Sequence, residues 1–177
     1  CFHKRYSKLH YFFQRDIGDT KGDPVDMHCI VYEIPLPKYH WYNWPSSGSR
    51  LVSNGCHWID HFMFVNNYSE VEESRKWMAS KSNCSVQIML RNGAYFSMSL
   101  TDSGSQRLGV RDYTELRAGD TTVTMIDGER YFAENRRRIF RKVRINPLDA
   151  YARMYTRIGR DIASGAPGDS LNSLRSS

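Results

Sequence analysis

The sequence has few cysteines and no long apolar run, and both shortages exclude classes of protein. Its 4 cysteines form no Cys-x-x-Cys pair, so a disulfide-stapled or redox scaffold is excluded. No apolar run approaches the roughly 18 residues that a membrane-spanning helix needs. The charged first residues are not followed by the apolar segment of a signal peptide. We therefore expect free thiols, a cytoplasmic location and no membrane partner.

An initiator methionine is also missing. The chain begins at Cys1, and residues typical of a folded protein follow at once, so we expect a piece of a longer protein. The composition is 40% hydrophobic and 13% aromatic, which is too apolar for a disordered chain. A chain of 177 residues buries roughly two-thirds of its unfolded surface. Residues 1–177 are therefore predicted to form one domain.

The net charge of +6 permits nucleic-acid binding without demonstrating it. The basic residues cluster at 136–138 with Arg141 and Arg144, as in a surface that follows a phosphate backbone. The same cluster is typical of a solvated edge strand, because charges on an edge block the addition of further strands. Acidic residues such as Asp127 and Glu134 lie close by in sequence and favour the edge strand. We expect no nucleic-acid partner.

The first half of the sequence shows helical spacing in two places. Apolar residues recur three or four apart over 3–13, before a stop at Gly18, and again over 53–65. Between these segments, residues 25–33 alternate and are predicted to form a strand.

In the second half of the sequence, apolar and polar residues alternate, which is typical of strands. Asn92-Gly93 is the strongest short-range hairpin signal and separates strands predicted at 86–90 and 95–100. Further strands are predicted at 108–116, 121–126 and 130–134, and a closing helix at 148–163. We therefore expect an α+β fold, with an open, mostly antiparallel sheet and helices packed on one face.

Residues 35–48 are too irregular for a regular element and too aromatic for an idle linker. They include Tyr39, Trp41, Tyr42 and Trp44. Ordered loops of this length are more often functional than not. Two interpretations remain open: Trp41 and Trp44 form a stacking wall for a sugar ring or a nucleotide base, or the loop packs under a neighbouring subunit.

The predicted helix 53–65 carries the densest chemistry. Ser53, His57, Asp60, His61 and Phe64 share one face at helical spacing. A histidine exchanges a proton near neutral pH, and Asp60, one turn further on, is placed to hold the imidazole or to bind a hydroxyl. The alternative is that His57 and Asp60 satisfy each other in the core.

Two other chemistries are possible on the same residues. A zinc site would combine Cys29, Cys56, His57, His61 and Cys84, but only His57 and His61 have the short spacing of zinc ligands. A Cys56 nucleophile would have its base at the next position, where helical side chains diverge by about 100 degrees. We expect neither a metal nor a cysteine nucleophile.

The segment Gly55-x-His57-x-x-Asp60, preceded by Arg50-Leu51-Val52-Ser53, resembles the substrate-site helix of the Gfo/Idh/MocA oxidoreductases. The family pattern is Asp-x-Gly-x-His-x-x-Asp, so Ser53 stands where the family has its first carboxylate.

Other segments resemble the same family in the family's order. They are the opening strand of its second domain (Phe2-His3-Lys4-Arg5-Tyr6), its central strands (Asp112-Tyr113-Thr114-Glu115-Leu116, then Gly119-Asp120), its last helix (Tyr151-Ala152-Arg153-Met154-Tyr155) and the turn after it (Gly165-Ala166-Pro167-Gly168-Asp169-Ser170).

The resemblance implies the substrate-binding and oligomerisation domain of an NAD(P)-dependent oxidoreductase that acts on a hydroxyl of a sugar, nucleotide-sugar or cyclitol. His57 would be the acid or base, Asp60 would bind a neighbouring hydroxyl, and Ser53 would leave the site without its usual carboxylate. Lys4 and Arg5 would contact substrate from the opening strand, with His61 and the two tryptophans of the 35–48 loop nearby.

The cofactor implied by the resemblance, NAD or NADP, would be bound by an N-terminal domain that this chain lacks. The sequence has no Gly-x-Gly-x-x-Gly turn after a strand. The resemblance also implies a homo-oligomer formed through the free face of the sheet. The alternative is a non-catalytic binding or oligomerisation module with the same fold.

Overall fold

A computed structural model describes residues 2–18 and 22–166 of the chain. The helices are α1 (Lys8–Asp16), α2 (Cys56–Val65) and α3 (Asp149–Ser164). The strands are β1 (Asp26–Tyr32), β2 (Val71–Met78), β3 (Cys84–Leu90), β4 (Tyr95–Thr101), β5 (Arg111–Ala118), β6 (Thr121–Ile126), β7 (Arg130–Asn135) and β8 (Arg138–Arg144).

The eight strands form one open sheet in the order β2-β3-β4-β1-β5-β6-β7-β8. Strand β1 is central and pairs in parallel with β4; the other pairings are antiparallel. The predicted α+β class with a mostly antiparallel sheet is confirmed. So is the hairpin between β3 and β4, where Gly93 takes a positive φ of 89° that favours glycine.

One face of the sheet is covered by α1 and α2. Leu9 and Phe13 of α1 pack with Val123 and Tyr131 of β6 and β7, and Phe62 of α2 stacks on Phe96 of β4 at 5.1 Å between ring centroids. The alternate side chains of the inner strands point to this core. The opposite face is open and carries exposed side chains such as Ile30.

The predicted helix over 3–13 is broken at Ser7. A 3-10 helix spans His3–Tyr6, and the Ser7 side chain then caps α1 by accepting a hydrogen bond from Leu9 N at 3.2 Å. The resemblance of residues 2–6 to an opening strand is therefore wrong about local structure. Lys4 and Arg5 lie on this 3-10 helix and not on a strand.

Both edge strands differ from the core strands in pattern. Every residue of β2 is exposed, so its sequence lacks the alternation that revealed the other strands. Strand β8 contains the basic residues 138, 141 and 144 at the other edge, as the solvated-edge interpretation predicted. Arg141 pairs with Asp16 at 2.5 Å and Arg144 with Glu129 at 2.9 Å.

The last helix turns most of its apolar stripe outward. Within α3, only Ala150 and Met154 are buried, whereas Tyr155 and Ile162 are 61% and 75% exposed. The helix packs instead on the 3-10 helix His3–Tyr6, where Tyr151 stacks on His3 at 4.3 Å. The predicted turn at 165–170 extends outside the described residues.

None of the described helices is long and apolar enough to span a membrane. The three cysteines in the described part of the chain, Cys29, Cys56 and Cys84, are free thiols, as expected; Cys1 lies outside it.

Candidate functional site

A cavity of about 370 Å³ lies on the helical side of the sheet. Its walls are the 3-10 helix His3–Tyr6, the start of α1, the first turns of α2, strand β5 and the start of α3. Sites for small molecules usually have 300–1,000 Å³, so this cavity has room for a small ligand.

The segment before and within α2 supplies one wall. Asn54, His57, Trp58 and His61 line the cavity, and their spacing of three and four residues places them on one helical face. The sequence predicted that Ser53, His57 and His61 share one face. The prediction is correct for the two histidines, but Asn54 takes the place of Ser53 in the cavity wall.

The register shift follows from a π-helical turn at Leu51–Gly55, immediately before α2. A wider turn rotates the residues before it relative to a regular helix. Ser53 is half-buried and donates from Oγ to Ser49 O at 3.3 Å, outside the cavity lining. A Cβ on Gly55 would lie 3.0 Å from Met98 Cε, so glycine here lets the turn approach β4 closely.

Four histidines line the cavity and are held neutral at pH 7. Burial lowers the pKa of His3, His10 and His57 to about 4 in each case, and the positive charge of Lys4 adds to the effect at His3 and His57. Burial also lowers the pKa of His61 well below its usual value. His61 Nε2 lies 3.2 Å from His10 Nδ1, so one ring donates to the other.

The charged groups in the wall are neutralised by partners. Lys4 Nζ lies 3.0 Å from Asp112 Oδ2 and 4.1 Å from the centre of the Trp58 ring. Glu33 Oε2 accepts a hydrogen bond from Arg50 Nε at 3.0 Å, and both of these side chains are buried.

Asp60 does not hold His57. It forms a buried, bidentate ion pair with Arg5, in which Arg5 Nε donates to Asp60 Oδ2 at 2.7 Å and Nη2 donates to Oδ1. Neither residue is among those that line the cavity. The alternative in which His57 and Asp60 satisfy each other is therefore wrong, because Arg5 reaches the carboxylate from the 3-10 helix.

The aromatic loop touches the cavity at a different residue from those predicted. Tyr42 lines it, whereas Trp41 and Trp44 do not, and both are at least half exposed. Trp41 packs edge-on against Tyr42 with 4.2 Å between ring centroids. The loop therefore lies beside the cavity, with its tryptophans on the outer side.

Lys4, His57 and His61 were predicted as site residues from the sequence, and they line the cavity. Four other lining residues were not predicted: Asn54, Trp58, Glu33 and Asp112. A signal for the first two was present, because both follow the helical spacing of His57 and His61. Glu33 and Asp112 follow from strand pairing, which places the end of β1 beside the start of β5. In the described part of the chain, no group of three or more His, Cys, Asp or Glu residues is arranged to hold a metal ion.

Comparison with known proteins gives matches in structure alone. No family model and no curated protein matches the sequence. The UDP-N-acetylglucosamine 3-dehydrogenase GnnA from Acidithiobacillus ferrooxidans aligns with a TM-score of 0.79 at 14% identity, over 99% of this chain and 56% of that one. A dehydrogenase (MviM) from Clostridium difficile aligns with a TM-score of 0.72 at 11% identity, over 99% and 57%.

The WlbA dehydrogenase from Bordetella pertussis, solved in complex with NADH and UDP-GlcNAcA, aligns with a TM-score of 0.66 at 13% identity, over 97% of this chain and 56% of its own. The chain thus spans little more than half of the structures that it matches. The chain therefore shares the fold of the matched part of these dehydrogenases, in agreement with the fold implied by its resemblance to the Gfo/Idh/MocA oxidoreductases.

Proposed function

We propose that residues 1–177 are the substrate-binding and oligomerisation domain of an NAD(P)-dependent oxidoreductase that acts on a hydroxyl of a sugar, nucleotide-sugar or cyclitol. One observation carries the proposal: His57, at the motif position, lies in the wall of the cavity. The shared fold supports it, and so does the WlbA structure, which was solved with NADH and UDP-GlcNAcA.

His57 would exchange a proton with the substrate hydroxyl. Because its pKa is about 4, the ring is neutral at pH 7 and has a lone pair free to accept that proton. Lys4, 3.0 Å from Asp112 in the opposite wall, would contact the substrate with its ammonium group, and His61 would be a further contact.

Arg5 and Asp60 would act as positioning residues. Their buried ion pair joins the 3-10 helix, which carries Lys4, to α2, which carries His57. The pair would therefore fix the distance between the two walls of the cavity.

The described residues do not fit the dinucleotide cofactor. No strand among them leads through a glycine-rich turn to the start of a helix, the usual pyrophosphate site. The charged groups of the wall named above are already paired with one another. We place the cofactor on a second domain outside this chain, packed over the exposed stripe of α3, because Leu148 and Tyr151 of this stripe also line the cavity.

The open face of the sheet would form the contact between subunits. It presents Ile30, Met89 and Tyr113 to solvent beside His28, which lies 2.7 Å from Ser97 Oγ. Ile30→Glu should shift the sedimentation coefficient to that of a smaller species, and an unchanged value would contradict this interface.

The free thiols agree with the proposed cytoplasmic location.

The test of the main proposal is turnover in the protein that the complete reading frame encodes. His57→Ala should lower kcat by about 10²- to 10⁴-fold, because the proton acceptor is lost, with cofactor affinity unchanged. Lys81→Ala, in the exposed turn between β2 and β3 and outside both the cavity and the proposed subunit contact, is the control and should retain turnover. Unchanged turnover in His57→Ala would remove His57 from the reaction.

The alternative is a non-catalytic binding module, which is favoured by Ser53. This residue replaces the family carboxylate and donates a hydrogen bond to Ser49 O, outside the cavity lining. A protein that binds a polyol in this cavity but does not oxidise or reduce it would support the alternative.

A further inference from the structure

Strand β2 is an edge of the sheet that no other described element covers. It pairs with β3 on one side only, and all eight of its residues are exposed. The backbone groups on its other side receive no hydrogen bond from a described residue. An edge of this kind is a template for a further strand, and natural proteins therefore protect it or use it.

The other edge strand, β8, is protected by its charge. It carries Arg138, Arg141, Lys142 and Arg144 and no acidic residue. In an antiparallel pair of two β8 strands, each well-overlapped register brings cations directly opposite each other, and this destabilises the pair. The β8 edge is therefore closed to a second copy of the chain.

The charges of β2 have both signs and a different arrangement. Its acidic residues, Glu72 and Glu73, precede Ser74, and its basic residues, Arg75 and Lys76, follow it. Reversal of the strand about Ser74 therefore exchanges acidic positions for basic ones. An antiparallel second copy presents this reversed sequence, so β2 is complementary in charge to a copy of itself.

Geometry and charge together favour one register. Directly opposite residues of an antiparallel pair share a face, so the two-fold axis that relates two identical strands passes beside one residue. An axis at Ser74 places Glu73 of each copy opposite Arg75 of the other copy. An axis at Glu73 or at Arg75 would instead place two like charges opposite each other.

Glu73 and Arg75 are already arranged for this contact. Arg75 Nε donates to Glu73 Oε1 at 2.7 Å, so the two side chains lie on the same face of the strand. The bulge of β2 lies between Val71 and Glu73, and the strand is regular after it. An exposed pair contributes little within one chain, but the four side chains of two copies would alternate in sign as a network.

We propose that two copies of the chain associate through their β2 strands, antiparallel and about a two-fold axis at Ser74, so that their sheets join edge to edge into one continuous sheet. This contact is separate from the one proposed for the open face, because it uses the backbone of an edge strand. It goes beyond the proposed function and does not depend on it.

Sedimentation equilibrium of Ile30→Glu measures the edge contact without the open-face contact, and we expect dimers. In this background, Glu73→Arg and Arg75→Glu should each weaken dimerisation about tenfold, because two attractive cross-strand pairs become repulsive. Both substitutions change exposed side chains, so the free energy of unfolding should stay nearly unchanged.

A mixture of the two charge variants separates the proposed contact from a structural effect. Glu73→Arg in one copy and Arg75→Glu in the other give opposite charges at both cross-strand pairs. The mixture should therefore dimerise as tightly as Ile30→Glu alone. The double variant, with Glu73→Arg and Arg75→Glu in the same chain, should recover dimerisation by itself. Damage to the fold would not produce either recovery.

A cysteine at the axis tests the register. Directly opposite Cα atoms of an antiparallel pair lie about 4.5–5.5 Å apart, within the range that a disulfide spans. Under an added oxidant, Ser74→Cys should therefore form a disulfide-linked dimer. Ser105→Cys, in an exposed loop outside β2, is the matched control and should remain unlinked.

Several outcomes would overturn the inference. They are a monomeric Ile30→Glu, charge variants that dimerise as Ile30→Glu does, a mixture that stays dissociated, and equal cross-linking of Ser74→Cys and Ser105→Cys. The proposed function would stand in each of these cases, because His57→Ala tests it through turnover.

Discussion

A buried asparagine lies at each end of α2, and the two side chains differ in their hydrogen bonds. Asn66, which follows the helix, accepts a hydrogen bond from Val25 N and donates to Val25 O and Phe62 O, at 3.0, 3.0 and 3.1 Å. Asn54, before the helix, is as deeply buried, but its amide nitrogen has no partner in the described chain. Side chains and backbone groups of the protein therefore complete the hydrogen bonds at one end of α2, whereas the amide nitrogen at the other end has no partner in the described part of the chain.

This contrast extends along the helix. Asp60, Phe62 and Asn66 contact the 3-10 helix, β4 and the residue before β1, and we call these three residues the anchor half. Asn54, His57 and Trp58 face the cavity and form the cavity half. Burial is therefore similar in the two halves, and they differ in the contacts that their side chains make.

The strongest test of the anchor half is Asp60→Asn. It leaves the buried Arg5 guanidinium without its carboxylate, and we expect a loss of about 3–5 kcal/mol in the free energy of unfolding. Urea denaturation measures the loss. Asp161→Asn breaks the exposed Arg157–Asp161 pair on α3 and should cost about 0.5 kcal/mol or less. Similar losses in both variants would contradict the anchor role.

A second test compares the two asparagines directly. Asn66→Leu leaves the backbone N–H and C=O of Val25 unsatisfied, so we expect about 2–3 kcal/mol of destabilisation. The same change at Asn54 should cost nothing. Denaturation curves of the two variants, measured under one buffer condition, provide the comparison, and equal losses would show that Asn54 is also structural.

The smallest effect concerns pH and the cavity half. The pKa of His57 is about 4 in the folded chain and about 6.5 in the unfolded chain, so the unfolded chain binds more protons between these values. Stability is therefore complete above pH 6.5 and falls as the pH drops towards 4. His57→Gln should make this fall shallower, since one titrating group contributes at most about 1.4 kcal/mol per pH unit.

Unfolding free energies measured between pH 7.5 and 4.5 test this effect. Tyr155→Phe, on the exposed stripe of α3, is the control and should leave the pH dependence as it is. A steeper fall in His57→Gln would mean that the imidazole is stabilised in its charged form.

Sequence patterns revealed elements where burial alternates. Strands β1, β3, β4, β6 and β7 were predicted within two residues, since each has one face in the core. Strand β2 was missed because an edge strand that is exposed on both faces has no apolar period. The apolar stripe of α3 correctly predicted a helix. It did not reveal that most of the stripe is exposed, because α3 packs on the 3-10 helix and not on the sheet.

The sequence predicted which motif contributes to the site, but it did not predict how the side chains of that motif are arranged. His57 was predicted from its spacing and from the family resemblance. The ion-pair partner of Asp60 was not predicted, because Arg5 is 55 positions away and on a different element. Similarly, the π-helical turn moves Ser53 out of the stripe and brings Asn54 into it. Such turns are local departures from the 3.6-residue period on which the stripe was built.

The central position of β1 has a kinetic consequence. Strands β2 to β4 and strands β5 to β8 are each joined by short turns, so each set can form from contacts that are close in sequence. Strand β1 joins the two sets, and it pairs with β4 and β5 only after long loops have closed. Because such closure slows folding, insertion of β1 is expected to limit the folding rate, with the two antiparallel sets forming earlier.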